Sequence, residues 1–373
     1  MVILFYLLTP FSYLEINGLR FILIQVLVGL LAALYFFIRK PKLHSGFAFP
    51  ALAVLLVVTA GYYLASGNVD SLLAVSVFLL LMFFSFYLAE NGPLSIESIK
   101  LIYIATCVFA AFGLAFQLVV NKLFGISFFR HQLFGGNRNA YSFIWADYSF
   151  ISLFVVSCLP LVLRFKSRLL VFLTFLFLLF SSLVSSARTG VAALFLLTVC
   201  LVSLKYLTAL VRGRMALKYL VLAAAMLVTP VIGMYALPLI TGRQLTISSS
   251  GRVDDFILGF QFFSSHPFFG ALLDKERYGA LVSTVPHNFF LYPLFMGGVI
   301  YFFCFMVFVL SLVQDLKSAD SDLLASLLLC FFGFQFIPSF FSAYFLAILL
   351  GIAMASSSMN RYRLRMMRQY SDD

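Results

Sequence analysis

Apolar runs long enough to cross a lipid bilayer recur from one end of this chain to the other, and they limit its fold more than any other feature. A helix needs about 20 apolar residues to span the hydrocarbon core. The predicted spans lie near residues 2–14, 19–38, 47–65, 71–89, 100–120, 148–164, 168–184, 190–207, 219–239, 289–312, 322–337 and 341–356. The first span is too short to cross comfortably, and only Ile337-Pro338-Ser339 indicates a turn between the last two. The pattern predicts an all-α polytopic membrane protein with about 12 transmembrane helices.

The composition agrees with this class and argues against a soluble protein. Of the 373 residues, 63% are hydrophobic and 10% are charged, whereas a soluble domain carries about 25% charged residues. A single transmembrane domain over residues 1–373 is the simplest expectation. The five cysteines lie inside apolar runs without CxxC spacing, so we expect neither disulfides nor a metal site. The start, MVILFYLLTP, lacks a basic leader and a cleavage site, which favours a first span over a removed signal peptide.

The formal charge of +11 does not require a nucleic-acid partner. Under the predicted topology, nine of the 25 Lys and Arg lie on the side opposite the termini, which leaves 16 on the side of the termini. Lys and Arg collect in cytoplasmic loops, so both termini are expected in the cytoplasm. Two loops, about 121–147 and 240–288, then face outward. The inner loops are too small for a catalytic domain, and we expect any chemistry outside or within the bundle.

The second outer loop is the longest polar interruption of the sequence. Within it, residues 253–263 place four apolar side chains at helical spacing: Phe256, Ile257, Phe260 and Phe263. Asp254 and Asp255 occupy the first turn, where a helix dipole favours acidic residues. The pattern predicts an amphipathic helix in the plane of the headgroups. His266 and Pro267 are expected to end it, because proline disfavours helix in the residue before it.

Arg188 lies in a tight turn between two apolar runs, within SSLVSSARTGVAAL. Its small neighbours Ser186, Ala187 and Gly190 allow a ligand or another backbone to approach closely. A guanidinium fork at membrane level suits a phosphate. The alternative is an arginine that snorkels from a loop to lipid headgroups. The residue alone does not separate these two interpretations.

Arg252 and His287 are the other candidates for a catalytic role. Gly251 relaxes the backbone before Arg252, so this side chain and the helix N-terminus are placed to face one anion; a solvated loop arginine is the alternative. Asn288 can cap the following span, which leaves His287 at the outer mouth of the bundle. Histidine accepts a proton near neutral pH, and nearby arginines favour its neutral form. A structural histidine bonded to backbone is the alternative.

Further residues of the two outer loops are assigned to substrate binding: Arg138, Tyr141, Arg243, Arg277 and Asn288. His266 is expected to shape a turn, and Trp145 to lie in an interfacial aromatic belt. The acidic pair Asp320 and Asp322 has the DxD spacing of a metal-bound nucleotide-sugar site. A solvated cytoplasmic loop is the favoured interpretation of that pair.

Four segments occur in a defined order: SSARTG (185–190), SGRVDDF (250–256), HPFFG (266–270) and HNFFLYPLFMGG (287–298). In order and spacing they resemble the O-antigen ligase and O-antigen polymerase superfamily of bacterial envelope glycosyltransferases, over roughly the C-terminal half of the chain. The twelve-span layout with a large late outer loop is similar to the same family. Asp255 departs from the pattern, since many members carry an aromatic residue near this position.

The resemblance implies a GT-C-like bundle and an inverting glycosyl transfer that needs no metal or cofactor. Arg188 and Arg252 would hold the diphosphate of an undecaprenyl-linked glycan, and His287 would deprotonate or orient the acceptor hydroxyl. Donor and acceptor would be undecaprenyl-diphosphate-linked oligosaccharides at the periplasmic face of the bacterial inner membrane, among membrane lipids. The resemblance leaves a place for a chain-length regulator protein as a partner, and none for nucleic acid.

Three functions stay open at this point. A repeat-unit polymerase is preferred, partly because the loops are compact. The close alternative is an O-antigen ligase that transfers the glycan to lipid A core. A lipid-linked oligosaccharide transporter is the more distant alternative. Such a protein is expected to have ionisable residues near mid-span and broken helices in repeated halves, and the sequence shows neither pattern.

Overall fold

The chain forms two compact units in the computed structural model, which describes residues 1–16, 19–39, 46–126, 131–134, 138–145, 147–187, 189–211, 252–280, 282, 285–337 and 339–371. The first unit comprises Met1–Tyr103, Ser248–Leu327 and Phe334–Asp373, and the second comprises Ile104–Ile247 and Leu328–Gly333. The expectation of one transmembrane domain over the whole chain stays a prediction.

The described residues are almost all helical. In chain order the helices are α1 (Val2–Leu7), α2 (Phe21–Arg39), α3 (Ala48–Ser66), α4 (Val69–Asn91), α5 (Ile96–Phe124), α6 (Tyr148–Ser157), α7 (Leu159–Val162), α8 (Arg168–Val184), α9 (Thr189–Val211), α10 (Arg252–Ser265), α11 (Lys275–Gly279), α12 (Leu291–Leu316), α13 (Ser321–Gly333) and α14 (Tyr344–Ser371). Short 3-10 helices cover Thr9–Phe11 and Phe340–Ser342. Two antiparallel hairpins pair β1 (Glu15–Ile16) with β2 (Leu19–Arg20), and β3 (His131–Phe134) with β4 (Arg138–Tyr141).

Five of these helices are long and apolar enough to cross a membrane: α2, α3, α4, α5 and α12. The predicted all-α class is therefore confirmed, and these helices support a membrane protein. The number of twelve spans stays a prediction, since span 219–239 lies outside the described residues. Span 2–14 is not one helix, because Pro10 stands in a 3-10 turn after α1. The six residues of α1 rise only about 9 Å.

Helix α14 forms the centre of the first unit, where it packs along α4. Every residue from Phe345 to Ser357 is buried. Small residues bring the two backbones together, since a Cβ at Gly351 would lie 2.6 Å from the Met82 carbonyl oxygen. The Ser85 hydroxyl donates to the Ile348 carbonyl across the same contact, at 2.8 Å. Close approach and interhelical hydrogen bonds are the interactions that hold helices together in lipid.

Helix α12 is broken at Gly298, whose φ of 69° and ψ of −175° are not helical. The backbone of residues 267–273, which we call the inserted segment, fills the break. The N–H groups of Val299 and Ile300 donate to the carbonyls of Pro267 and Phe268, at 2.8 and 3.3 Å. These bonds satisfy donors that a helix start would otherwise leave without partners.

Two acceptors on the other side of the break are also satisfied. The Met296 carbonyl accepts from the Leu273 N–H at 2.9 Å, and the Gly297 carbonyl accepts from the Tyr62 hydroxyl at 2.8 Å. A broken helix is tolerated at membrane depth only when protein groups satisfy its backbone in this way. The segments HPFFG and FMGG are therefore structural partners of each other. We call the hydrogen-bonded contact between the inserted segment and the break in α12 the interlock.

The acidic pair Asp320 and Asp322 is not a solvated loop, which corrects the sequence-based interpretation. The Lys100 ammonium, whose side chain is 3% exposed, lies 2.6 Å from Asp320 and 3.2 Å from Asp322. It also donates to Glu97 at 2.8 Å, and Asn360 donates to Asp320 at 3.1 Å. This pairing ties α5 to the start of α13 and to α14.

Gly298→Ala should destabilise the protein by about 3 kcal/mol. A side chain at positive φ costs about 1–3 kcal/mol, and a Cβ here would lie 2.3 Å from the Phe268 carbonyl oxygen, which adds an overpacking cost of about 1–3 kcal/mol. Gly61→Ala is the matched control, because a Cβ there meets no atom within 4 Å. The temperature at which a thiol-reactive dye labels the buried cysteines of the detergent-solubilised protein measures the effect. Equal unfolding temperatures for both variants would contradict the interlock.

Lys100→Met should destabilise the first unit by about 3 kcal/mol, because it leaves the buried carboxylate of Asp322 and the half-buried carboxylate of Asp320 without their cation. Burial raises the pKa of Asp320, but hydrogen bonds from Lys100 and Asn360 outweigh it and hold this pKa below its ordinary value of 3.8. The contribution of Asp320 to stability is therefore complete above pH 3.8 and is lost as the pH falls through its lower folded pKa. In Lys100→Met the acid limb of the stability profile should move to higher pH. The exposed Lys275→Met serves as the control, and an unchanged acid limb in Lys100→Met would refute the pairing.

Candidate functional site

The first three residues of the SSARTG segment, 185–187, form a hydrogen-bonded turn after α8 in the second unit. The Ser185 hydroxyl donates to the Ser182 carbonyl at 2.7 Å and accepts from the Ala187 N–H at 3.2 Å. Ser186 is fully buried and has a φ of 61°. A residue with a side chain adopts this backbone conformation at a cost of about 1–3 kcal/mol, and such residues cluster at functional sites.

The start of α9 contacts α6 more closely than any side chain would allow. The Gly190 N–H donates to Ser152 Oγ at 3.2 Å, and the hydroxyls of Ser152 and Ser182 lie 2.7 Å apart. A Cβ at position 190 would lie 2.5–2.6 Å from oxygen atoms of these two serines. The glycine of the SSARTG segment is therefore required for packing.

Arg188 lies outside the described residues, so its phosphate-binding role stays a prediction. Its chain neighbours Ala187 and Thr189 are 2% and 6% exposed. The turn that precedes Arg188 is therefore buried and hydrogen-bonded.

The predicted amphipathic helix is confirmed as α10, which begins at Arg252 and ends at Ser265. Arg252 is thus at the helix N-terminus, as predicted, while its side chain is outside the described part of the chain. Phe295 of α12 contacts Phe256, Phe260 and Phe263, with ring centroids 6.0–6.3 Å apart. Ile257 is 50% exposed on the same helix. The helix therefore packs on α12 and still presents apolar side chains outward, and its place in the headgroup plane stays a prediction.

His266 shapes the end of α10, as expected. Its ring stacks on Phe262, with centroids 4.8 Å apart, and its Nδ1 lies 2.9 Å from Ser265 Oγ. These contacts hold the chain where it turns into the inserted segment. They give this histidine a structural role.

His287 is half-buried, and its Nδ1 lies 2.8 Å from the Val285 carbonyl oxygen. A carbonyl oxygen only accepts, so Nδ1 carries the proton in this hydrogen bond. In the neutral ring, Nε2 then holds the lone pair that can accept a proton. This hydrogen bond to the backbone is also what a purely structural histidine would make. It selects the tautomer that a general base needs.

Asn288 caps α12, which confirms the predicted capping role. Its Oδ1 accepts from the N–H groups of Phe290 and Leu291, at 2.9 and 3.2 Å. Its Nδ2 donates to Gln335 Oε1 at 3.1 Å. Gln335 was not identified from the sequence, because 47 residues separate it from Asn288 and no local pattern links them. The amide oxygen of Gln335 fixes the orientation of the Asn288 side chain, which adjoins His287 in the chain.

A small aromatic cavity adjoins Asn288 in the first unit. Its lining combines phenylalanine rings with polar side chains: Asn288, Phe289, Tyr292, Phe334, Ser339 and Phe340. The cavity measures about 10 Å³, which is room for about one water molecule. It is therefore too small for a sugar ring. Ser339, with a φ of 59°, adds a second strained serine beside a predicted site segment.

The other assigned residues occupy varied positions. Arg243 lies outside the described residues, and only the backbone of Arg138, at the start of β4, is described. Arg277 is exposed on α11. Tyr141 is fully buried, and its hydroxyl donates to Asn121 Oδ1 at 2.7 Å. Burial raises the pKa of the Tyr141 hydroxyl, which keeps it protonated. The substrate-binding roles of these residues stay predictions.

Trp145 is not in an interfacial belt, contrary to expectation. It is fully buried in the second unit and stacks on Phe154, with centroids 4.9 Å apart. Its bulk fills the core beside α6. Among the described residues, no group of three or more His, Cys, Asp or Glu side chains is arranged to hold a metal ion.

The net charge of the protein belongs to the second unit. Its sequence contains twelve Lys and Arg but one acidic residue, Asp147, a net formal charge of +11. The first unit contains thirteen Lys and Arg and thirteen Asp and Glu, which cancel. Asp147 caps α6 by accepting from the Phe150 N–H at 3.3 Å. The excess of positive charge is therefore confined to the sequence of the second unit.

A scan against protein-family models finds no family that matches this chain, and a search of curated proteins finds no matching relative. The family resemblance therefore stays a prediction that rests on the four ordered segments.

Asn288→Ala should lower the stability of the protein by about 0.5–2 kcal/mol, the usual cost of losing an N-terminal cap. Asn288→Asp keeps the capping oxygen and should retain most of that stability. Gln335→Ala should cost less than Asn288→Ala, because the cap itself remains. The unfolding temperature of each variant in detergent measures the loss of stability. Identical temperatures for Asn288→Ala and Asn288→Asp would show that the cap has no stabilising role.

Proposed function

We propose that this protein is a polysaccharide repeat-unit polymerase of the bacterial inner membrane. It is a metal-independent, inverting glycosyltransferase that moves an undecaprenyl-diphosphate-linked glycan onto a sugar hydroxyl of another lipid-linked repeat unit. The proposed architecture has about 12 transmembrane helices in a GT-C-like bundle. The outer loops, about 121–147 and 240–288, meet the sugars at the periplasmic face.

The buried, strained turn at the base of Arg188 is the observation that carries this proposal. Ser186 holds a left-handed backbone, and Ser185 and Ala187 are hydrogen-bonded within the turn. The unit that contains Arg188 has one acidic residue, which is engaged as a helix cap. A strained, hydrogen-bonded turn next to an arginine, in a unit whose sequence has one acidic residue, suits an anionic substrate. A diphosphate offers the paired oxygens that a guanidinium fork binds.

In the proposed reaction, the acceptor hydroxyl attacks the anomeric carbon of the donor glycan. The bond that breaks joins this carbon to the diphosphate, so undecaprenyl diphosphate leaves with the electron pair. Arg188 and Arg252 stabilise the negative charge that develops on the leaving group. The acceptor proton passes to Nε2 of His287, which the hydrogen bond to Val285 leaves as the basic nitrogen. The substrate-binding residues Arg138, Tyr141, Arg243, Arg277 and Asn288 complete the proposed site.

An O-antigen ligase uses the same donor and differs only in its acceptor, lipid A core. A transporter for lipid-linked oligosaccharide is the more distant alternative, and it requires discontinuous helices around a substrate path. The break in α12 is such a discontinuity, but the inserted segment satisfies its backbone groups. This interlock favours a structural explanation of the break over a transport site.

The test is chain growth by the purified protein in lipid nanodiscs, with lipid-linked repeat units as the sole substrate. Elongated glycan without added core lipid is expected from a polymerase, and growth only with core lipid would identify a ligase. Arg188→Ala, Arg252→Ala and His287→Ala should each abolish growth, because each removes diphosphate binding or proton transfer. Arg188→Lys should also be poor, since lysine cannot form the two-pronged contact.

Arg20→Ala is the control for loss of surface charge, because Arg20 is exposed and lies 3.7 Å from Glu15. It should grow chains like the wild type. Membrane accumulation and unfolding temperature of every variant show whether the protein is still folded. Full activity in the three folded alanine variants would overturn the site assignment.

A further inference from the structure

Ser152 of α6 contacts the chain both before and after the position of Arg188, within the second unit. Ser152 is fully buried, and its hydroxyl oxygen accepts from the Gly190 N–H at 3.2 Å. The same oxygen lies 2.7 Å from the hydroxyl oxygen of Ser182 in α8. Ser182 donates to the Ser152 carbonyl at 3.3 Å, so its own oxygen accepts the hydroxyl proton of Ser152. One side chain of α6 therefore connects the end of α8 to the start of α9.

The Ser152 hydroxyl takes the place of an N-terminal cap for α9. A capping side chain normally belongs to the residue before the helix, is Ser, Thr, Asp or Asn, and accepts from the N–H of the second or third helical residue. Gly190 is the second residue of α9, and the residue before α9 in the sequence is Arg188. Arginine is not a capping type, and the acceptor comes from a neighbouring helix instead. The chain can therefore have an arginine here while the Gly190 N–H keeps an acceptor.

The contact between α6 and the start of α9 is too close for α9 to shift freely. A Cβ at Gly190 would lie 2.5 Å from the Ser152 carbonyl oxygen and 2.6 Å from its hydroxyl oxygen. Closely packed interiors transmit a displacement to their neighbours instead of absorbing it. The position at which α9 begins is therefore set by Ser152.

The turn before α9 is joined to the same hydrogen bonds. The Ala187 N–H donates to the Ser185 hydroxyl at 3.2 Å, and this hydroxyl donates to the Ser182 carbonyl at 2.7 Å. Between them, Ser186 has a φ of 61°, and a strained backbone persists only when surrounding contacts hold it. Hydrogen bonds that follow one another in a buried network strengthen each other. Ser152 thus belongs to one network with described residues on both sides of Arg188.

We propose that Ser152 is a positioning residue, which fixes the start of α9 so that Arg188 is oriented toward the diphosphate of the lipid-linked glycan. This inference rests on the proposed function, because it assigns Ser152 to the phosphate-binding step. Ser152 acts through Arg188 and has no contact with the substrate. A guanidinium fork that binds paired phosphate oxygens depends on its orientation, whereas contacts with the polyprenyl chain do not. The preference for a diphosphate over a monophosphate therefore reports on Ser152.

The test is the affinity of the protein in nanodiscs for farnesyl diphosphate relative to farnesyl monophosphate, two short-chain analogues of the lipid. Ser152→Ala should lower the preference for the diphosphate by roughly fivefold, the usual net effect of one hydrogen bond. Ser182→Ala should lower it less, because the bond from Gly190 to Ser152 remains. Ser181→Ala is the matched control and should keep the preference. Ser181 is equally buried in α8, and its hydroxyl donates to the Phe177 carbonyl of the same helix at 2.9 Å.

A double-mutant cycle separates positioning from a general loss of structure. In Arg188→Ala the guanidinium is absent, so adding Ser152→Ala should change the preference no further. A serine with a purely structural role would lower the unfolding temperature and weaken both analogues alike, and the preference would stay unchanged. A further loss of preference in the double variant would also contradict an action through Arg188.

The outcomes distinguish this inference from the proposed function. Wild-type preference in folded Ser152→Ala, together with lost preference in Arg188→Ala, would overturn this inference alone. Wild-type preference in Arg188→Ala would overturn the proposed function and this inference with it. Unfolding temperatures identify the folded variants. If Ser152→Ala does not fold, the milder Ser182→Ala decides: a reduced preference supports the positioning role, and wild-type preference overturns it.

Discussion

The backbone hydrogen bonds between the inserted segment and the break in α12 hold together the part of the first unit that contains His287 and Asn288. Gly270 and Gly298 approach so closely that neither position has room for a Cβ. The contact extends to α3 through Tyr62. It extends to the start of α4 through Asn68 and Ser71, whose side chains donate to the Leu273 carbonyl. The end of α10 and the start of α12 are thereby fixed, and with them the surroundings of His287.

This interlock explains why HPFFG and FMGG occur together in one sequence. Each supplies the backbone partners that the other lacks, so losing one would leave polar groups unsatisfied in the other. The glycines of these two segments are required by close packing and by positive φ, and neither requirement involves a substrate. The serine-lined turn before α9 is constrained in the same way, since Gly190 at the start of α9 is also packed against neighbouring oxygen atoms. Structural constraint and proposed chemistry therefore share the same short segments.

Charge separates the two units. The first unit balances its charges, and buried Lys100 is paired with three carboxylates. The second unit has one carboxylate side chain, Asp147, against twelve Lys and Arg. That difference supports the proposed anionic, lipid-linked substrate.

Local signals in the sequence predicted the features that depend on neighbouring residues. Helix α10 extends from Arg252 to Ser265, close to the predicted 253–263, because the apolar spacing and Pro267 are both local. The cap at Asn288 was predictable for the same reason. The Lys100 network and the contact with Gln335 were not, since they join residues 220 and 47 positions apart. The prediction of a first span over residues 2–14 was wrong, because hydropathy alone does not register a proline inside an apolar run.

The proposed function depends above all on binding of a lipid diphosphate through arginine. The most direct measurement is the affinity of the wild-type protein in nanodiscs for undecaprenyl diphosphate, compared with undecaprenyl monophosphate. The account predicts tighter binding of the diphosphate, and loss of that preference in Arg188→Ala. Equal affinity of the wild-type protein for the two lipids would contradict it.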